Sequence, residues 1–113
     1  AKAGNDIIWG GSGNETIDAG DGDDIIFGGK GSDVLTGGWG SDIFEFTSTS
    51  GSDTITDFNF TDDKLRLYST TGNDNSWTVT GNTFTWGAVD ITFSGFTSLE
   101  SSYFNGLIEF QMI

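Results

Sequence analysis

Over the first 45 residues the apolar side chains fall into short clusters nine residues apart. Ile7-Ile8-Trp9, Ile25-Ile26-Phe27 and Val34-Leu35-Thr36 are the clearest, and Ile17 and Phe44 hold the same place in the intervening blocks. A three-residue strand alternates its faces, so the central residue points inward and its neighbours outward. The inward set is Ile8, Ile17, Ile26, Leu35 and Phe44. Two blocks then make one coil of 18 residues, with one strand in each of two sheets. From residue 46 onward the spacing changes and longer β-type runs follow. Phe44–Thr47, Asp53–Phe58, Lys64–Tyr68, Trp77–Thr80, Thr83–Trp86, Ala88–Phe93 and Gly106–Met112 read as strands, with a hairpin turn at Thr80-Gly81-Asn82-Thr83. Thr97-Ser98-Leu99-Glu100 with the following Ser-Ser-Tyr-Phe predicts a short capped helix closed by Asn105-Gly106.

Between the apolar clusters, the polar positions repeat as strictly. The blocks are AKAGNDIIW, GGSGNETID, AGDGDDIIF, GGKGSDVLT and GGWGSDIFE. The fourth position is Gly4, Gly13, Gly22, Gly31 and Gly40. The second is Gly in four blocks, at Gly11, Gly20, Gly29 and Gly38. The sixth is acidic throughout: Asp6, Glu15, Asp24, Asp33 and Asp42. Stacking at 18 residues superposes Asp6 on Asp24, Glu15 on Asp33 and Asp24 on Asp42. Parallel strands lie about 4.8 Å apart, where two like charges repel by roughly 3–4 kcal/mol at an effective dielectric of ~20. A divalent cation between stacked turns turns that repulsion into coordination. One carboxylate and the glycine-loop carbonyls of each turn supply the six or more oxygens that Ca²⁺ prefers, in a cage too wide for Mg²⁺. Three sites are expected. Glu15 is a methylene longer than its counterparts, and the first block lacks its Gly pair, which distorts the outer two. Asp21 and Asp23 read as solvated charge.

Charge and composition sharpen this. The 113 residues carry 17 acids against 4 bases, a net charge of −13, with 18 Gly and no Cys or His. Disulfides, zinc-thiolate and iron–sulfur sites, cysteine nucleophiles and histidine bases are excluded. So is charge-driven binding to nucleic acid or an anionic membrane. No apolar run nears the ~18–20 residues of a membrane helix. The start AKAGNDIIWGG has neither the apolar core of a signal peptide nor an initiator Met, which predicts a piece of a longer protein. Ten Phe and four Trp argue for an ordered domain. One domain over 1–113 is expected: repeats at 1–45, and a capping and secretion-signal region at 46–113.

The five tandem blocks resemble the GGxGxDxUx nonapeptide of the RTX family, found in bacterial secreted toxins, proteases, lipases, epimerase modules and adhesins. The stretch 52–69, SDTITDFNFTDDKLRLYS, resembles the segment following the last repeat in such proteins. ITFSGFTSLESSYF, at 91–104, resembles the C-terminal region of type I secretion substrates. The resemblance implies an all-β fold: a parallel β-roll, or solenoid, with a C-terminal β-rich cap and a short helix. It implies Ca²⁺ as the bound ion, and the type I secretion machinery and upstream domains of a parent protein as partners. It further implies an extracellular or cell-surface location.

Three further features are weighed on the same residues. Asp57, Asp62 and Asp63 form either another Ca²⁺ site or a charged loop around a buried Phe58. Trp77 and Trp86 either fill the core or stack on a sugar, and the alternative function is a glycan- or surface-binding adhesive module. No nucleophile–base pair can be assembled without His or Cys, so the expectation is a non-catalytic module.

Overall fold

Each apolar triplet of the repeats is a strand, and successive strands alternate between two sheets. The protein is described by a computed structural model covering residues 3–47, 50–69, 77–87, 89–96, 99, 100, 104, 106 and 108–112, with the backbone alone at 69 and 110–112. The strands are β1 (Ile7–Trp9), β2 (Thr16–Asp18), β3 (Ile25–Phe27), β4 (Val34–Thr36), β5 (Ile43–Thr47), β6 (Ser52–Ile55), β7 (Lys64–Ser69), β8 (Thr78–Thr80), β9 (Thr83–Trp86), β10 (Val89–Phe93) and β11 (Ile108–Met112).

The first sheet runs β1-β3-β5-β7-β11 and is parallel throughout. The second runs β2-β4-β6-β10-β9-β8, parallel to β10 and antiparallel across β9 and β8. Register sets Ile8 beside Ile26, Ile26 beside Phe44 and Phe44 beside Leu65 in the first sheet. It sets Ile17 beside Leu35 and Leu35 beside Ile55 in the second. These side chains face each other across the sheets and form one core with Phe46, Leu67, Phe84, Trp86, Val89, Ile91 and Phe93. β-branched and aromatic residues suit such a pleated, one-side-buried surface.

Bulk is distributed unevenly along this core. The repeat end has only one inward side chain per strand. The other end is filled by rings: Phe58, Phe60, Phe93 and Phe104 interlock at centroid separations of 4.9–5.6 Å, mostly tilted or edge to face.

The expected architecture is corrected on two points. Among the described residues there is no α-helix. Thr97, Ser98 and 101–103 lie outside the described residues. Leu99 and Glu100 are irregular, and Leu99 is buried with its N–H donated to the Gly81 carbonyl at 2.8 Å. A one- or two-turn helix has little stability of its own, and Leu99 is docked instead onto the β8–β9 turn. Second, the sheets share no strand. Each is open, ending at β1 and β11 or at β2 and β8, and the second mixes parallel with antiparallel pairing. Closure of the two sheets into a roll or solenoid is therefore not what the described residues form.

Candidate metal centre

The loops between strands stack into two columns. One holds the turns leading into β1, β3, β5 and β7, the other those leading into β2, β4 and β6. Glycine makes the stacking possible. Gly22 has φ +113°, and a Cβ there would lie 2.2 Å from the Gly4 carbonyl oxygen. Gly31 on Gly13 and Gly40 on Gly22 repeat the arrangement, each with its hypothetical Cβ at 2.3 Å. Gly11, Gly20, Gly29 and Gly38 also have positive φ, and Gly29 stacks on Gly11 and Gly38 on Gly20 in the same way. No side chain fits between these turns, so glycine carbonyls of successive coils lie one above the other.

The acids of the sixth position form a ladder. Asp24 Oδ1 accepts the Asp6 N–H, Asp42 Oδ1 accepts that of Asp24, and Asp63 Oδ1 accepts that of Asp42, at 2.8–2.9 Å. In the other column Asp33 Oδ1 accepts the Glu15 N–H and Asp53 Oδ1 accepts that of Asp33, both at 2.8 Å. The fifth position bonds in the opposite sense. Asn5, Asn14 and Asp23 accept through Oδ1 from the N–H groups of Asp23, Ser32 and Ser41 one coil later. Asp21 and Asp23 are both exposed, and Asp23 in addition accepts the Ser41 N–H.

The ladder uses one oxygen each of Asp24, Asp33, Asp42 and Asp53, whereas Asp6 and Glu15, first in their columns, join it through their N–H groups. Among the described residues Asp6 Oδ2, Glu15 Oε1, Asp24 Oδ2, Asp33 Oδ2, Asp42 Oδ2 and Asp53 Oδ2 are buried without a hydrogen-bond partner. In Asp33 and Asp42 this oxygen lies over the first glycine of its own turn. A Cβ on Gly28 or Gly37 would come within 2.5 Å of it. Those two glycines clear space for the carboxylate, a role beyond turn formation.

A buried carboxylate oxygen without a donor is costly, and the group is relieved by a proton or a cation. Burial pushes the Asp42 carboxyl up to about 7, helped by the charges of Asp63, Asp24 and Asp57 and opposed by the Asp24 N–H. Burial also raises Asp53 to about 7, against the Asp33 N–H and with the charge of Asp33. The donors are hard oxygens, the chemistry of Ca²⁺ rather than of a soft metal. No three acids gather at one point among the described residues, so a coordination shell here requires the stacked glycine carbonyls as well as the ladder carboxylates.

Asp53 and Asp63 extend the two columns beyond the nonapeptides. Asp53 is 2% exposed and carries a leftover oxygen like those of the repeats. A sequence signal for it exists. Ser52-Asp53-Thr54-Ile55 matches Ser32-Asp33-Val34-Leu35 and Ser41-Asp42-Ile43-Phe44, an acid two residues before an inward aliphatic or aromatic. Asp63 differs, because its second oxygen accepts the Asn59 N–H at 2.9 Å. Burial raises its pKa as well. Asp57 is also fully used, accepting from Gly37 N–H at 2.9 Å and Gly38 N–H at 2.8 Å. Asp57 and Asp62 border a surface cleft of about 450 Å³ with Trp39 and Asn59, but Asp63 points into the ladder instead. The trio does not converge on one point. Phe58 is buried beneath this loop. Trp86 is 3% exposed and belongs to the core, and the half-buried Trp77 packs against that core, stacked on Phe84 with centroids 5.1 Å apart.

Residues 1–26 and 18–48 match the family model of the RTX calcium-binding nonapeptide repeat. An RTX calcium-binding repeat is therefore present over residues 1–48, the smaller N-terminal part of the chain. No curated protein matches the sequence. Among solved structures, the extracellular lipase LipA from Serratia marcescens matches with a TM-score of 0.58 and 18% identity, over 96% of this chain and 19% of that one. The likeness is one of fold, and the chain spans about a fifth of the lipase. It corrects the expectation of a non-catalytic module. A fold like this one occurs within the chain of an enzyme, so the missing His and Cys do not separate it from catalytic proteins.

Proposed function

We propose that this chain is the calcium-responsive part of a larger secreted protein, in which binding of Ca²⁺ to the turn columns drives folding outside the cell. The observation that carries the reading is the set of six carboxylate oxygens, among the described residues, that are buried without partners, all on acids of the two columns. Asp6, Asp24 and Asp42 in one column, and Glu15, Asp33 and Asp53 in the other, would hold the ions. Carbonyls of Gly4, Gly11, Gly13, Gly20, Gly22, Gly29, Gly31, Gly38 and Gly40 would complete the shells. Bound Ca²⁺ supplies positive charge where the turns bring carboxylates together. Without it those carboxylates disfavour the stacked coils, and the chain stays extensible enough to pass an export channel.

Residues 46–113 act in this reading as the cap on which the 1–45 repeats assemble, and their C-terminal part carries the signal for a type I exporter. The RTX repeat over 1–48 supports the calcium and secretion parts of this reading. The strong net negative charge of −13 supports a cation as the trigger. Extracellular calcium modules bind at ~10⁻⁴–10⁻³ M. An ion at ten times its dissociation constant adds about 1.4 kcal/mol, so several sites together rival the net stability of a small domain. Circular dichroism with calcium and with EDTA tests the folding part, and an unchanged spectrum and melting point would refute it. Removing residues from 95 onward should abolish export of a fused passenger, and unimpaired export would refute the signal.

A further inference from the structure

On the outer face of the first sheet, away from the ladder, the strands present an unusual row. Register places Trp9 beside Phe27, Phe27 beside Glu45 and Glu45 beside Arg66. Thr47 lies beside Tyr68 in the same pair of strands. Trp9 is 70% exposed, and its ring meets Phe27 edge to face with centroids 4.8 Å apart. Trp9, Phe27, Glu45, Thr47 and Tyr68 together line a groove of about 340 Å³. That lies at the lower end of small-ligand sites, roughly 300–1,000 Å³.

We propose that this groove binds a neutral pyranose unit of a glycan. Its apolar end, Trp9 and Phe27, suits a ligand with a flat C–H face, whose cover would remove a large exposed aromatic surface from water. Its other end, walled by Thr47, offers the Tyr68 hydroxyl oxygen and the Glu45 carboxylate to ring hydroxyls. Charge selects a neutral ligand. Arg66 Nη1 lies 3.0 Å from Glu45 Oε2, and the Tyr68 hydroxyl donates to the same oxygen at 2.7 Å. Arg66 Nε is matched in turn by Glu109 Oε1 at 3.1 Å. A cation would have to displace Arg66 from Glu45, and an anion would meet a chain of net charge −13. Trp86 cannot serve, because it is buried in the core, and Trp77 has its ring stacked on Phe84.

The test uses the full chain saturated with calcium, so that folding and binding are read apart. Indole and backbone N–H spectra are recorded while cellohexaose, maltohexaose or mannohexaose is added to millimolar levels. At least one should shift the Trp9 indole saturably, together with the amides of Phe27, Glu45 and Tyr68. Trp9→Ala should weaken that binding at least tenfold, about 1.4 kcal/mol, with the calcium stoichiometry of the parent chain retained. Tyr68→Phe, which keeps the ring and frees Glu45, should weaken it severalfold. Trp39→Ala, at a side chain 81% exposed beside a different cleft, should leave it unchanged. The proposal is overturned if none of the three sugars shifts Trp9. It is equally overturned if binding survives Trp9→Ala, or if the face proves to self-associate in a Trp9-dependent way.

Discussion

Asp42 and Asp63 are neighbours in one column, and each accepts the N–H of the acid one coil before it. Yet Asp42 keeps a buried oxygen with no partner, while Asp63 gives its second oxygen to Asn59. The same contrast separates the two halves of the molecule. In the repeats, regular stacking places a carboxylate in every turn and offers it at most one donor. Beyond β5 the irregular loop 56–63 folds back to supply donors, and Asp57 caps the Gly37 and Gly38 N–H groups in return. The second half also owns the aromatic cluster and the Arg66 bridge between Glu45 and Glu109. Asp53 apart, whose second oxygen is left over like those of the repeats, the second half is thus completed by its own chain, and the first is left to an ion. Regularity is what creates the need. A repeat short enough to stack without side chains has no spare residues with which to satisfy its own acids.

The contrast can be broken at several points. Phe93→Ala removes a fully buried ring from the cluster and should destabilise the chain by about 3–5 kcal/mol. Chemical denaturation should register the loss with calcium and without it. Gly22→Ala puts a methyl against the Gly4 carbonyl and forces a side chain into positive φ. A loss of about 1–3 kcal/mol is expected, with weaker calcium binding in that column by calorimetry. Asp63→Ala strands two N–H groups and should cost about 1–3 kcal/mol, leaving calcium stoichiometry unchanged. Asp42→Asn should do the reverse, lowering the stoichiometry without destabilising the metal-free chain. Equal stoichiometries for these two variants would erase the distinction drawn between them.

Protons sharpen the comparison further. Asp42 and Asp53 stay protonated in the metal-free fold up to about pH 7, against an ordinary carboxyl value of 3.8. The metal-free fold therefore binds more protons than the unfolded chain between those limits. Its stability from these groups is fully present below about pH 4 and is lost as pH rises through 7. Calcium competes for the same carboxylates, so the calcium-loaded fold should show the opposite trend over that window. Melting temperatures against pH, with calcium and with EDTA, should therefore diverge. The smallest expected effect is that of Arg66→Met. Partly exposed ion pairs contribute up to about 1 kcal/mol, and the loss should not depend on calcium.

The period of nine places β1 to β5 and the first five acids of the ladder, because every block has the same length. It fails after residue 45. The step from Asp33 to Asp53 is 20 residues and that from Asp42 to Asp63 is 21. A search in fixed blocks loses the column there, although the acid and its inward partner two residues on, Ile55 or Leu65, persist. Local capping signals also misled. Thr97 and Glu100 have the spacing of a capped helix start, but Leu99 between them is held by the β8–β9 turn. The antiparallel β8–β9 hairpin is legible in its Thr80-Gly81-Asn82-Thr83 turn, but the order of the open sheets depends on pairings across as many as 43 residues, such as that of Leu65 with Ile108, which no local pattern encodes.

The central claim is that the ladder is completed by calcium and the second half is not. Residue-resolved hydrogen exchange, with calcium and then with EDTA, tests it most directly. The account predicts that EDTA removes protection from the ladder amides of Asp6, Glu15, Asp24 and Asp33 while Phe84, Ile91 and Phe93 keep a larger share of theirs. Equal protection of the ladder amides in both conditions would contradict it.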